Sequence, residues 1–393
     1  QAMLNGDNED VAMLCEARLK VKSTTERTRA QRFLDISSRG PLPVPLHYYG
    51  ALTGRWAAAK GEAINMQNLK RKSFLRKAIM APEGHEIVVV DLSQIEPRVL
   101  AWLADYDELL EIFRSGKDAY ATFGSTMFNI QGLTKDSHPD LRQSAKSALL
   151  GCGYQLGWAS FAGQLLVGFL GAPPVRYDKD FAKKLGVTGA YIEDFLAYRD
   201  GENLVAMLEI AHTCTTQELL IHCVAAKKII DIYRATAHPV VGFWGMCGEL
   251  IQTALYDGHE HVHKCLTFRK EEILLPNGMS LRYPDLRREK DEEGKWNWVY
   301  GDTATKLYPG KVTNNVTQAL ARIVMTDGLL RVSARMPLAG TVHDEGLGIV
   351  KKGEGEKALP WMIRRMTEEP KYMPGIPLAA EGGHHRRYGL AKN

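Results

Sequence analysis

An α+β fold is what this sequence predicts, and three observations carry the prediction. A run of β-branched residues, Ile87-Val88-Val89-Val90, lies in the first quarter of the chain, and two short apolar strands flank His343-Asp344 near the end. Between them, from about Leu109 to Leu255, the pattern is mostly helical. Strands towards both ends with helices between them place the terminal segments together in one sheet.

The elements follow in order. Val11 to Ile36 is polar and helical in character and ends at the breaker Gly40-Pro41-Leu42-Pro43. A basic stretch runs to Lys77, then Glu86 to Val90 reads as a buried strand and the next residues as a helix to about Ala104. The helical middle breaks at Gly132, at Ser137 to Pro139, at Gly171 to Pro174 and at His238-Pro239. Glu272 to Tyr283 reads as a hairpin in which Asn277-Gly278 supplies two positive-φ turn positions. A helix is expected from Val312 to Ser333.

Composition bounds the function. A chain of 393 residues, 45% apolar and 24% charged, is no small disulfide scaffold and no disordered tail. A net charge of +4 names no partner. Six scattered cysteines without a C-x-x-C fit reduced thiols in a cytosol rather than a zinc ribbon. Ser147 to Val175 carries no charge and is long enough to cross a bilayer, but its glycines, Gln155, Gln164 and Pro173-Pro174 read as a buried helix and turn. No membrane partner is expected. The first residue is Gln, so a processed protein or a fragment of a longer one is expected.

The chemistry begins at Asp91, where a buried strand fixes a carboxylate at its carboxyl end. Asp344 and Glu345 form an acidic pair at the tip of a second hairpin. Two Mg²⁺ ions need carboxylates from more than one element, so Asp91 and Asp344 suit that task if their elements are neighbours. Either aspartate alone is most often a turn former or a helix cap. Arg142 and Lys146 stand at i and i+4, and Leu150 and Tyr154 continue that face. Such a face can hold a triphosphate and stack beneath a base; the alternative is a solvated helix surface. From Arg55 to Lys77 there are seven cations (Arg55, Lys60, Lys70, Arg71, Lys72, Arg76, Lys77) against Glu62 alone, a local surface for nucleic-acid phosphates or a solvated loop. Ser93-x-x-Glu96 reads as a capping box. His259-Glu260-His261-x-His263 lacks metal-site spacing and reads as a polar loop, and His384 to Arg387 as an exposed tail.

Together these segments resemble the family A DNA polymerases. Asp91-Leu92-Ser93-Gln94-Ile95-Glu96-Pro97-Arg98 is similar to motif A, Arg142-x3-Lys146-x7-Tyr154 to motif B, and Val342-His343-Asp344-Glu345 to motif C. Thr53-Gly54-Arg55, Gln67-Asn68-Leu69 and Asn314-x3-Gln318 resemble further family segments, and Tyr48 to Trp56 and Leu275 to Gly278 resemble bacteriophage members. The resemblance implies a right-hand fold with an antiparallel-sheet palm, helical fingers and a short or truncated thumb. Residues 1–45 are then a thumb remnant, 46–108 and 310–393 the palm, and 109–309 the fingers. It implies that Asp91 and Asp344 hold two Mg²⁺ ions, which Mn²⁺ can replace, with Asp91, Asp344, Glu345 and Lys146 catalytic. It assigns nucleotide binding to Arg142, Lys146, Leu150, Tyr154, Glu96 and Gln94. Contacts to primer–template DNA fall to Arg55, Gln67, Asn68, Asn314, Gln318, His343, Lys70 and Arg71. Glu96 in this family also blocks a ribose 2′-hydroxyl.

The sequence departs from the family pattern at Leu150 (usually Phe or Tyr), at Gln155 (usually Gly) and at Tyr120 (often His). Too few residues precede Tyr48 for a full thumb and a 3′–5′ exonuclease, so no proofreading is expected, and a missing segment or separate chain supplies the rest. The expected function is template-directed extension of a primer with dNTPs, in the cytosol of a bacterial host if the chain is phage-derived. A single-subunit RNA polymerase and a catalytically idle DNA-binding subunit are the alternatives.

Overall fold

A computed structural model describes residues 24–58, 64–69, 73–168, 173–197, 206–207, 209–210 and 214–392. Helix α1 spans Thr24–Ser37; the earlier part of the expected N-terminal helix lies outside the described residues. Strand β1 is His85–Leu92 and helix α2 is Ile95–Leu103. Helices α3 (Ala119–Phe128) and α4 (Pro139–Cys152) follow, and α5 is the long helix Pro309–Ser333. The chain continues through β2 (Leu338–Val342), β3 (Glu345–Lys351), α6 (Gly355–Met366), β4 (Ala380–His385) and the short α7 (Tyr388–Ala391).

The chain divides into two compact units. One comprises Ala104–Gly248 with Pro309–Thr313; the other comprises 24–103, Glu249–Tyr308 and 314–392. The first is helical. Its core uses small residues, with Ala145 and Ala148 on α4 and Ala225 and Ala226 on the helix Thr216–Thr236 all fully buried. Thr215 and Glu218 cap that helix reciprocally, in a capping box not anticipated from sequence. The uncharged stretch after Ser147 becomes the end of α4, a turn and a helix of ten residues, Trp158–Val167. No helix among the described residues is long and apolar enough to cross a membrane.

The second unit is built on an antiparallel sheet in the order β2-β3-β1-β4. Central β1 is buried on both faces, which is why it is a continuous apolar run rather than an alternation. Ile87 and Val89 pack with Leu347, Val342, Ile36, Met66 and Tyr388. On the other face, Val88 and Val90 stand opposite Gly348 and Gly346. A Cβ at either glycine would meet the side chains of Leu329, Met336 or Met362, so these glycines set how closely α5 and α6 approach the sheet.

The C-terminal strand corrects one expectation. His384 and His385 are part of β4, paired with Val88 and Ile87, and His384 donates to Glu86 at 2.7 Å. The segment read as an exposed tail is an edge of the main sheet. The hairpin at Glu272–Leu274 and Ser280–Arg282 forms, but Leu274 pairs with Ser280 rather than with Leu281 as a two-residue Asn277-Gly278 loop requires, so its register and its turn both differ. Only Gly278 has a positive φ; Leu275 to Gly278 closes a turn with Pro276 second, and Asn277 Oδ1 accepts the Met279 N–H instead. His261 and His263 lie on a strand rather than in a loop, and His263 bonds the Leu103 carbonyl.

Candidate active site

Strand β1 ends in Asp91, and Glu345, the first residue of β3, stands opposite it in the register. The turn His343-Asp344 joins β2 to β3, and the Leu92 N–H donates to the Asp344 carbonyl at 3.1 Å. Paired strands lie about 4.8 Å apart. The fold therefore brings Asp91 and Asp344 to one end of one sheet, from opposite ends of the chain.

The turn is held by design of its neighbours. His343 has φ 51°, a left-handed conformation that costs a non-glycine residue about 1 kcal/mol. Gln67 offsets that cost. Its Oε1 accepts the His343 N–H at 2.6 Å, its Nε2 donates to the Thr341 carbonyl at 2.9 Å, and its own carbonyl accepts the His343 ring N–H at 2.8 Å. Asn65 fixes Gln67 in turn by accepting its backbone N–H at 3.0 Å.

Beneath the turn lies a buried ion pair. Arg76 Nη1 reaches Glu345 Oε2 at 3.2 Å, and the Tyr388 hydroxyl donates to the same oxygen. Arg76 is 6% exposed and Glu345 4%. Arg76 also donates to the Leu69 carbonyl and lies over the Tyr388 ring. The carboxylate of Glu345 thus faces the interior. Arg76, read from sequence as part of a basic surface, is a core residue, because its neighbours in space are β3 and α7 rather than solvent.

Asp91 is buried, and its carboxylate takes Lys392 Nζ at 2.6 Å; the same ammonium reaches Glu381 Oε1 at 3.0 Å. Among the described residues no group of three or more His, Cys, Asp or Glu gathers as a metal cage. Two carboxylates on adjacent segments nevertheless suit Mg²⁺, a hard cation that keeps waters and takes further oxygens from substrate phosphates. They do not suit a structural zinc.

After Asp91 the chain turns through Gln94, at φ 52°, into α2. Because α2 begins at Ile95, Ser93 and Glu96 do not occupy the N-cap and N3 positions of a capping box. The Glu96 carboxylate is paired with Arg55. Arg98 is buried and ties the Ser93 and Pro377 carbonyls together at 2.8 and 2.7 Å.

In the helical unit, α4 carries Arg142 and Lys146 on one face. Arg142 Nε donates to Asp118 Oδ2 at 2.6 Å, and both cations lie within 6 Å of the Tyr120 ring, at 5.4 and 5.8 Å. Asp118 also caps α3 by accepting the Tyr120 and Ala121 N–H groups. Burial alone would raise its carboxyl, but Arg142 and those N–H groups outweigh it and hold it below the usual carboxylate range. Leu150 is half-buried on the same helix, whereas α4 stops at Cys152, so Tyr154 stands in the following turn.

The comparisons with known proteins can now be set beside this geometry. Residues 20–209 match the model of DNA polymerase family A. The chain is 25% identical over 392 aligned residues to a DNA polymerase of Bacillus phage SP02, covering 86% of this chain and 51% of the phage protein. It is 32% identical to DNA polymerase I of Pseudomonas aeruginosa over 47% of this chain and 20% of that protein. The likeness is to DNA polymerase family A, over a little under half of the chain. It spans about half the length of the phage relative and less of the bacterial one. The fold matches the POL domain of Pol1 from M. smegmatis, in complex with DNA primer-template and dNTP, with a TM-score of 0.55, 18% identity and coverage of 95% of this chain and 52% of that one.

The departures from the family A pattern gain physical content. Gln155 stands at φ 62°, where glycine is the unstrained choice. Its Oε1 accepts the Gly310 N–H at 3.0 Å, a bond no glycine makes. Asp118, which the sequence reading missed, was legible as an N-cap residue ahead of α3.

Arg322 was also missed. It is 7% exposed and its guanidinium lies 4.8 to 5.6 Å from the rings of Tyr48, Tyr49 and Trp56. Its Nε and Nη2 have no hydrogen-bond partner among the described residues. It lines a cavity of about 40 Å³ with Arg55, Gln67, His343 and Asp344. Asn314, Gln318 and Arg322 are spaced i, i+4, i+8 on α5, and that spacing was the available signal. Asn314 and Gln318 are half-buried there, and Asn68 is exposed with its carbonyl bonded to Arg29. Lys70 and Arg71, with Lys60 and Lys72, lie outside the described residues.

Proposed function

We propose that this chain extends the 3′-hydroxyl of a template-paired DNA primer with dNTPs, by two-metal nucleotidyl transfer. One observation carries the reading: the register that sets the Asp344 turn beside Asp91. The sheet unit serves as palm and the helical unit as fingers. Asp91 and Asp344 would hold two Mg²⁺ ions, which would supply positive charge beside the attacking 3′-oxygen and the leaving pyrophosphate.

The chain's own residues do the rest. Arg142 and Lys146 grip the triphosphate, and Lys146 is the acid that protonates the leaving group. Tyr154 lies beside the templating base, and Leu150 and Gln94 help to bound the nucleotide. Glu96, oriented by Arg55, excludes a 2′-hydroxyl. Asn68, Asn314, Gln318, Lys70 and Arg71 contact DNA. Gln67, His343 and Glu345 act as positioning residues, since their polar atoms hold the acidic turn in place. Similarity to a phage protein supports a reading in which this activity takes place in the cytosol of a bacterial host.

Primer extension tests the reading with the wild type beside Asp91→Asn and Asp344→Asn, in Mg²⁺ and repeated with ribonucleotides. Either substitution is expected to lower extension by about a hundredfold or more while DNA binding persists. Variants that extend like the wild type sink the metal assignment. DNA binding by a wild type that extends nothing favours an idle subunit, and synthesis from ribonucleotides without a primer favours an RNA polymerase.

A further inference from the structure

A broad cavity lies at the other end of the sheet from Asp91. It has a volume of about 780 Å³ and is walled by the start of β1, the end of β3, the segment after α5 and one face of α6. Six residue steps along β1 separate His85, in its wall, from Asp91, a distance of about 20 Å.

Its wall is basic and its cations are unspent. Arg335, Lys351, Lys357 and Arg364 all line it, against Glu354 as the acidic residue. None of the four pairs with a carboxylate in the described structure, whereas the neighbouring Arg331 and Arg365 are both neutralised by Glu368. Lys357, Trp361 and Arg364 stand at i, i+4 and i+7 of α6, so a half-buried indole is set between two exposed cations on one helix face. Two helical turns separate those cations by about 10 Å. Below them the floor is apolar, with Met336 buried.

We propose that this groove binds a single strand of nucleic acid, with Lys357, Arg364, Arg335 and Lys351 on successive phosphates and a base stacked on Trp361. Alternating cations and an aromatic face along a groove are the arrangement single strands require. An acidic peptide would use the cations but has no use for an indole between them. The site is distinct from the Asp91 end and does not depend on the polymerase reading.

The test uses the full chain, EDTA and a labelled oligo(dT) of about twelve nucleotides, with no complement. Lys357→Glu with Arg364→Glu is expected to weaken binding about tenfold or more, and Trp361→Ala about fivefold. Hydrogen exchange should slow in residues 350–365 on adding the oligonucleotide. Extension of a hairpin primer with a single-nucleotide overhang should be unchanged in these variants, which separates the groove from the acidic turn. If charge reversal prevents folding, Arg335→Gln with Lys351→Gln makes the same test from other elements. Unchanged affinity, protection confined to the Asp91 end, or protection by polyglutamate but not by oligo(dT) overturns the proposal. Because binding is read without catalysis, a wild type that fails to extend primers leaves this outcome intact.

Discussion

Arg76 and Arg142 each hold one carboxylate, but they sit in contrasting regions. Arg76 is sealed under the end of the sheet with Glu345 and Tyr388, while Arg142 stands half-buried on α4 beside Asp118 and Tyr120. At the sheet end Gln67 binds the backbone of Thr341 and His343, and Arg76 and Tyr388 bind Glu345, which fixes the geometry of the acidic turn. On α4, Arg142 is steered by one carboxylate and one ring at a half-buried position. The same side chain therefore serves architecture in one region and, in the function proposed above, would serve ligand capture in the other.

The largest effect that should break this contrast is Arg76→Ala. It strands the Glu345 carboxylate in the core and should cost about 3–5 kcal/mol in urea unfolding. A cost below 1 kcal/mol would mean that the sheet end is not built on that pair. Arg142→Ala should do the reverse. Its stability cost should stay under about 1 kcal/mol, because the pair is partly solvated. The KM for dNTP should rise about tenfold, read by steady-state primer extension. A large loss of stability with unchanged KM would put both arginines in one class.

The smallest effect sharpens the comparison at the far end of β1. There, burial raises the Glu86 carboxyl, but His384 and the N–H groups of Gly353 and Gly355 outweigh it and bring it below the ordinary range. A carboxyl lowered in the folded state contributes stability that is present above its unfolded value of about 4.3 and is lost as pH falls through the folded value. Glu86→Gln should cost about 1 kcal/mol at neutral pH and flatten that acid limb in thermal unfolding at a series of pH values. An unaltered acid limb would detach Glu86 from it.

The parts of the fold that were legible are those written locally. Ile87 to Asp91 announces a buried strand with a carboxylate at its end, and the helix after Pro309 and the hairpin around Gly278 follow from periodicity and turn residues. What was not legible depends on partners distant in sequence. Gln67 looked like a DNA contact because nothing local reveals that Thr341 and His343 fold against it. Arg76 looked like one more cation in a basic run, since burial is a property of the packed sheet. Tyr154 was placed on a helix face because 3.6-residue spacing continues past Cys152, but the left-handed Gln155 ends that continuity. Glu96 fitted a cap by spacing, yet Arg55 claims its charge.

Lys392 gives the acidic turn a further property. Its ammonium already compensates the Asp91 and Glu381 carboxylates, so crowding these acids at one sheet edge does not leave bare like-charge repulsion. If Asp91 holds a metal as proposed, a divalent ion approaching it would enter by exchange with Lys392. Under that proposal, occupancy of the carboxylate would be a competition between two cations, one tethered and monovalent, the other diffusible, and metal affinity would depend on how readily Lys392 swings away as well as on the aspartates.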